Sequence, residues 1–292
     1  MTSISESNES FSELPIDGAT NGGRITAMVD ICIAAGHHTL KYFRQRNLDV
    51  EAKSDQSPVT VADREAEQLA RKLITEHFPQ DTIHGEEFPE KKGTSSYQWI
   101  VDPIDGTKSF VCGVPLYSTL VALEKDGQAI AGAIYIPATG QMVVAANKRG
   151  CWYRASDSET WEPSKVSDNQ EISKAVFLTS QGDLFRQKGA EAAFQKLEDT
   201  CWVSRSWGDG YGYLMVATGK ADIMVDAICN AWDVAAMIPI LNEAGGRFTD
   251  WNGQTTPHGG NGVGTNGKLH WEVRSEEHTS ELQSHSDLVC RL

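Results

Sequence analysis

The sequence predicts an α+β front half followed by an α/β second half, in one chain of 292 residues without internal repeats. Three observations carry this reading. Residues 97–154 hold successive β-rich runs around an Asp126-Gly127 turn, and the residues after 170 alternate short apolar runs with helical periods. The composition, 40% hydrophobic and 23% charged, is that of a chain able to bury a sizeable core.

The elements follow in order. Residues 1–22 are polar with few large apolar groups and are expected to be disordered, which places the domain at 23–273. Ile25, Val29, Ile33, Leu40 and Phe43 fall near one face of a helix over about 25–43. Thr60 and Asp63 form an N-cap pair for a second helix, whose apolar stripe runs Ala62, Ala66, Leu69, Leu73 to Phe78. YQWIVD (97–102) reads as a strand entering a loop with Pro and Gly. The runs on either side of Asp126-Gly127 make a hairpin, and QMVVAANKRGCWYR extends it into an antiparallel meander with exposed edges. The Ser-, Asp- and Glu-rich stretch 155–170 is the expected internal boundary.

Beyond it, AVFLTS, WVSRSW and ADIMVD read as strands, and GRFTDWNG as the last strand and turn. GDLFRQKGAEAAFQKLE reads as one helix and GYGYLMVATG as a short helix ending at Gly219. NAWDVAAMIPILNEAGG reads as one helix stopped by paired glycines. The segment 274–292 has no helical or strand period and is set aside as a non-native tail.

Forty acids against 26 bases give a net charge of −14, so the surface repels a phosphate backbone and no nucleic-acid partner is expected. No apolar run reaches the ~18 residues of a membrane span, so no membrane partner is expected. The N-terminus lacks a secretory pattern, and the six cysteines form no CxxC pair. A cytoplasmic location with free thiols is the expectation.

The chemistry centres on WIVDPIDGTKSF (99–110). Asp102 and Asp105 follow a strand, and Pro103 bars a regular helix between them. Two carboxylates in such a loop can converge on a hard cation, with the Ile104 carbonyl as a further oxygen ligand. Gly106 and Thr107 then offer a turn where a phosphate can approach backbone N–H groups. Taken alone, the motif reads equally as a turn with two solvated aspartates. HGEEF (84–88) adds Glu86, AWDVAAM adds Asp233 near a helix start, and KSDQSPVTVADREAE (53–67) adds Lys53 on a loop before a capped helix.

These segments, in this order and spacing over about residues 25–270, resemble the inositol monophosphatase superfamily. The resemblance implies a layered α-β-α-β-α sandwich and a homodimer. It also implies hydrolysis of a small phosphate monoester with two or three Mg²⁺ ions. Carried over by position, Glu86, Asp102, Ile104, Asp105 and Asp233 look like the metal ligands, with Glu86 and Thr107 directing the attacking water. Gly106 and Thr107 would hold the phosphate, and Asp63 would sit near the most loosely held ion.

The wording WGDGYGYLMVATGKADIMVD, with SPVTVADREAE and DPIDGTKSFVCGVPLY, is most similar to the histidinol-phosphatase branch, which hydrolyses L-histidinol phosphate in histidine synthesis. Where inositol phosphatases resemble Gly-Thr-Ala, this chain has Gly208-Asp209-Gly210. Asp226 matches an acid that contacts the inositol ring. Asp105, Asp209, Asp226 and Arg205 are therefore candidate substrate contacts. Two acids in the leaving-group pocket suit an amine better than a neutral polyol, because a desolvated carboxylate needs a cation. Asp209 reads alternatively as a helix cap, Arg205 as a surface residue, and Trp207 and Trp232 as packed core. Inositol-1-phosphatase or broad sugar-phosphate phosphatase activity is the alternative. A metal-binding regulatory protein with weak hydrolysis is the second.

Overall fold

The computed structural model describes residues 14–46, 48–53 and 58–274. The disorder expected of 1–13 and the tail from 275 lie outside the described residues. Helix α1 (Arg24–Thr39) is followed by the antiparallel pair β1 (Val50–Ala52) and β2 (Pro58–Thr60), then helix α2 (Val61–His77). A seven-stranded sheet runs in chain order: β3 (Thr82–Gly85), β4 (Tyr97–Asp105), β5 (Ser118–Lys125), β6 (Gln128–Ile136), β7 (Gln141–Ala146), β8 (Cys151–Arg154) and β9 (Glu162–Pro163). Only its β3–β4 pair is parallel. The short helix α3 (Thr107–Val111) lies between β4 and β5.

The second half contains β10 (Val176–Leu178), α4 (Asp183–Gln187), α5 (Glu191–Thr200), β11 (Val203–Arg205) and α6 (Gly210–Ala217). It continues with β12 (Ile223–Asp226), α7 (Ala231–Val234), α8 (Met237–Glu243), β13 (Arg247–Thr249) and β14 (Gly262–Thr265). Its sheet has the order β11-β10-β12-β14-β13.

The architecture is the layered sandwich. Ile25, Met28, Cys32 and Ala35 of α1, with Ala66, Ala70 and Ile74 of α2, pack on Trp99, Val121 and Tyr135 of the large sheet. The other face of that sheet, through Ile100, Leu120 and Ile134, packs on Leu214 of α6 and Ile240 and Leu241 of α8. Those helices also cover Met224 and Phe248 of the second sheet. Phe185 and Leu197 of α4 and α5 close its outer face with Leu269 and Val273. Alternate residues of β5 and β6 therefore meet different cores, which is why both strands are apolar almost throughout. Both faces of the meander are covered, while its edge strand β9 is exposed.

Several elements differ from the sequence reading. Within 14–22, read as part of a disordered segment, Ile16 is only 4% exposed and joins the α1 core with Leu14 packed against it, while most of the stretch is exposed. Helix α1 stops at Thr39, so Leu40 is exposed rather than part of its stripe. The single helix over 182–198 is two, broken at Gly189 with φ of +73°. The helix after Asn230 is also two. Continuous from 231, it would set the ring of Pro239 against the carbonyl of Ala235, whereas a restart at Met237 puts that proline in a first turn. Strand β14, GVGT, has too little side chain to announce itself.

Candidate active site

Backbone register gathers the acids. Asp102 pairs with Leu120 and Asp105 with Ser118, so three steps on β4 oppose two on β5. In a regular strand residues three apart face opposite sides; the bulge at Pro103-Ile104 brings both carboxylates to one side. The parallel β3–β4 register sets Gly85 opposite Val101, which places Glu86 beside Asp102. Asp233 arrives from the first turn of α7, its Oδ2 accepting the Asn230 N–H at 2.6 Å. Carboxylate oxygens of Asp102, Asp105 and Asp233 all lie within 4.8 Å of one another.

A second group stands beside these. Asp63 is buried at the start of α2, where the capping box holds its Oδ2 on the Thr60 N–H and hydroxyl at 2.8 and 2.6 Å. Its Oδ1 lies 3.3 Å from the Thr107 hydroxyl, which also reaches the Ile104 carbonyl at 3.1 Å. Gly106 turns the chain into α3 at φ +89°, and the first N–H groups of that turn lack intrahelical acceptors. Lys53 Nζ donates to Glu86 Oε1 and Glu87 Oε1, each at 2.6 Å.

Such crowding shifts the acids upward. Burial and the neighbouring charges of Glu86, Asp105 and Asp233 push the Asp102 carboxyl well above its usual range. Burial, with Asp209 and Asp233, does the same to Asp105. Asp233 rises to about 7 and Asp63 to about 6, burial being the main cause in each. Oxygen-only donors whose charges repel one another fit a hard divalent cation.

A sign follows for pH. A carboxyl whose folded pKa is raised contributes stability below its unfolded value, about 3.9, and that contribution is lost as pH rises through 6 to 7. Cations compete with those protons. Calorimetry with Mg²⁺ and with chelator should therefore show a larger cation-induced rise in melting temperature at pH 8 than at pH 5.5. An equal rise at both would mean that these carboxyls do not hold the ion.

The acids border a cavity of about 480 Å³ between the ends of the two sheets. Of the residues singled out in the sequence, Lys53, Glu86, Asp105, Gly106, Thr107, Asp209, Asp226, Trp232 and Asp233 line it. Asp63, Asp102 and Ile104 stand directly behind that wall. Arg205 does not reach it: the side chain is exposed on β11, with Nη1 donating to the Ser204 carbonyl at 2.6 Å. Its exposed position on an edge strand is the reason, and the surface reading of Arg205 replaces the substrate-contact one.

Asp209 occupies the N-cap position of α6 yet its side chain makes no capping hydrogen bond. Its carboxylate instead lies against Gly106, where a Cβ would stand 2.5 Å from Asp209 Oδ2. Burial and Asp226 raise its pKa to about 6. Asp226 is more engaged, accepting from the Ser180 N–H at 3.1 Å and the Tyr213 hydroxyl at 3.0 Å. Trp207 is 40% exposed, so it is not the packed core residue expected, whereas Trp232 packs against the core as expected and also lines the cavity.

Lys108 and Gln181, joined at 2.5 Å across the cavity mouth, went unread. Lys108 was legible as the residue after Gly106-Thr107; Gln181 carries no local signal.

The sequence model of the inositol monophosphatase family matches residues 24–286. The histidinol-phosphatase of Chlorobaculum parvum is 39% identical over 235 residues, 80% of this chain and 88% of that one. The inositol-1-monophosphatase of Rhizobium meliloti is 30% identical over 238 residues, 80% and 87% of the two chains. Among solved structures, the IMPase of Thermotoga maritima superposes with a TM-score of 0.78 at 28% identity, covering 89% of this chain and 98% of that one.

Proposed function

Because the chain belongs to the inositol monophosphatase family and is a phosphoric monoester hydrolase, we propose that its substrate is L-histidinol phosphate, hydrolysed with Mg²⁺ in histidine synthesis. The carrying observation is Asp209. A carboxylate that forgoes its helix-capping bond to border the cavity, with the Ser180 side chain and the charge of Lys108 beside it, still gains from a cation in the cavity, and the substrate's ammonium group supplies one. Asp226 stands behind it as a second negative charge. Leu184, Ile228 and Tyr213 add apolar wall for an imidazole.

In this reading Glu86, Asp102, Asp105, Asp233 and the Ile104 carbonyl hold two or three Mg²⁺ ions. Bound there, the ions supply Lewis acidity toward the phosphate and lower the pKa of water. The chain's own groups do the rest. Thr107, oriented by Asp63 and the Ile104 carbonyl, positions the attacking water with Glu86. The N–H groups of Gly106 and Thr107 hold phosphate oxygens. Water displaces the alcohol directly, so no phosphorylated residue forms. The reading includes a homodimer, as the family resemblance implies.

Phosphate release measured with Mg²⁺ should favour L-histidinol phosphate over myo-inositol 1-phosphate by tenfold or more in kcat/KM, about 1.4 kcal/mol in the barrier. Comparable turnover of the inositol ester would make this an inositol or broad sugar-phosphate phosphatase and remove the substrate-reading role from Asp209.

A further inference from the structure

Helix α2 buries two acids on one face, Asp63 and, one turn later, Glu67. The second belongs to no part of the mechanism above. Glu67 is 0% exposed, and both its oxygens are committed. Oε2 accepts the Glu87 N–H at 2.6 Å, and Oε1 accepts Arg71 Nε at 2.6 Å. Arg71, a further turn along α2, extends its other nitrogens to the same loop: Nη2 to the Phe88 carbonyl at 2.8 Å and Nη1 to the Pro89 carbonyl at 3.1 Å. Gly85 lies directly on the carboxylate, where a Cβ would stand 2.1 Å from Glu67 Oε1. The acid therefore packs against the backbone just before Glu86 and hydrogen-bonds to it just after.

We infer that Glu67 and Arg71 are positioning residues for Glu86, forming a clamp from α2 that fixes the 85–89 loop. This rests on reading Glu86 as a cation ligand. Residues 86–89 form no strand; the Glu86 N–H donates to the Val101 carbonyl at 3.3 Å, while the Glu87 N–H and the Phe88 and Pro89 carbonyls find their partners in these two side chains. The clamp supplies one acceptor and two donors from a single ion pair whose carboxylate is fully buried. The same helix carries Asp63 at its start, so one rigid element sets both Asp63 and the loop bearing Glu86. A guanidinium suits the task because its planar fork reaches a carboxylate and two carbonyls together, which an ammonium cannot.

The test uses the full chain and compares Arg71→Met and Glu67→Gln with Arg64→Met, an exposed α2 residue paired with Glu51. Three quantities are read: the Mg²⁺ concentration giving half-maximal phosphate release, kcat at saturating Mg²⁺, and the melting temperature with and without the ion. Loss of an outer partner of a metal ligand weakens the site about 10- to 100-fold. Arg71→Met and Glu67→Gln should each raise half-saturating Mg²⁺ by about tenfold or more on that scale. At subsaturating Mg²⁺ the cation-induced melting shift should shrink, while Arg64→Met changes neither.

Arg71→Lys keeps the charge but not the fork, and should fall between wild type and Arg71→Met. A lower melting temperature with unaltered Mg²⁺ dependence in both clamp variants would make the pair merely structural and overturn the inference. Glu86→Gln separates the premise: if it leaves the Mg²⁺ midpoint unmoved, the reading of Glu86 fails first and the clamp's role falls with it.

Discussion

Replacing Asp105 by Asn should lower phosphate release about 10³-fold, some 4 kcal/mol in the barrier, while making the cation-free protein more stable. The two effects have opposite signs because the carboxylate has opposite roles in the two states. Without a cation, burial and the neighbouring Asp209 and Asp233 penalise the charged form of Asp105 and drive its pKa well up. Its Oδ2 accepts from the Ser118 hydroxyl at 2.7 Å and from the Gly210 N–H. The amide oxygen of Asn can keep both bonds, and the new NH₂ can donate toward the neighbouring acids. Relief of repulsion worth about 1 kcal/mol would raise the melting temperature by roughly 2–4 °C in a domain of this size. On the proposed reading of Asp105 as a ligand, the order should reverse in Mg²⁺. Calorimetry in chelator and in Mg²⁺ reads both arms. A variant destabilised under both conditions would show that Asp105 serves the fold, not a cation.

Asp105 was legible because its chemistry is written locally. Asp-Pro-Ile-Asp-Gly-Thr puts two acids and a turn within six residues, but the loop read after residue 102 is strand in the structure, where β4 runs on to Asp105 through a bulge. The Thr60–Asp63 cap is equally local, as is the Asp126-Gly127 turn, where both residues take positive φ.

What failed depends on tertiary contact. The stripe Ala62, Ala66, Leu69, Leu73 was assigned to α2 by hydrophobicity, but the buried face is Ala62, Asp63, Ala66, Glu67, Ala70 and Ile74. A period search that counts acids as solvent-facing cannot find Glu67, although its four-residue spacing to Asp63 and to Arg71 was visible. Arg205 failed in the other sense, since a basic residue near the candidate pocket in sequence was carried by an edge strand away from it. Gln181 reaches Lys108 across 73 positions, which no local pattern encodes.

Asp209 supplies the second large effect and the sharpest inversion of an ordinary rule. Its backbone sits at φ +49°, ψ −148°, a region favouring glycine, and holding another residue in such a conformation costs about 1–3 kcal/mol. The neighbouring Gly106 admits the carboxylate by having no Cβ. Asp209→Gly should release the strain, whereas Asp209→Ala removes the same carboxylate but keeps the strained backbone. The glycine variant should therefore be more stable than the alanine one by about 1 kcal/mol, against the usual preference for alanine.

Both variants should lose histidinol phosphate selectivity alike, because a hydrogen bond to a charged group contributes about 1.5–3 kcal/mol, or 10- to 150-fold in kcat/KM. Turnover of myo-inositol 1-phosphate should hold or improve, since a neutral polyol gains nothing from that charge. Urea unfolding and the two substrates' kcat/KM, measured on the same preparations, separate the possibilities. Equal losses on both substrates would assign Asp209 to positioning the phosphate turn at Gly106 instead of reading the amine. Selectivity lost in alanine but kept in glycine would point to the backbone conformation, and the carboxylate would then have no part in substrate choice.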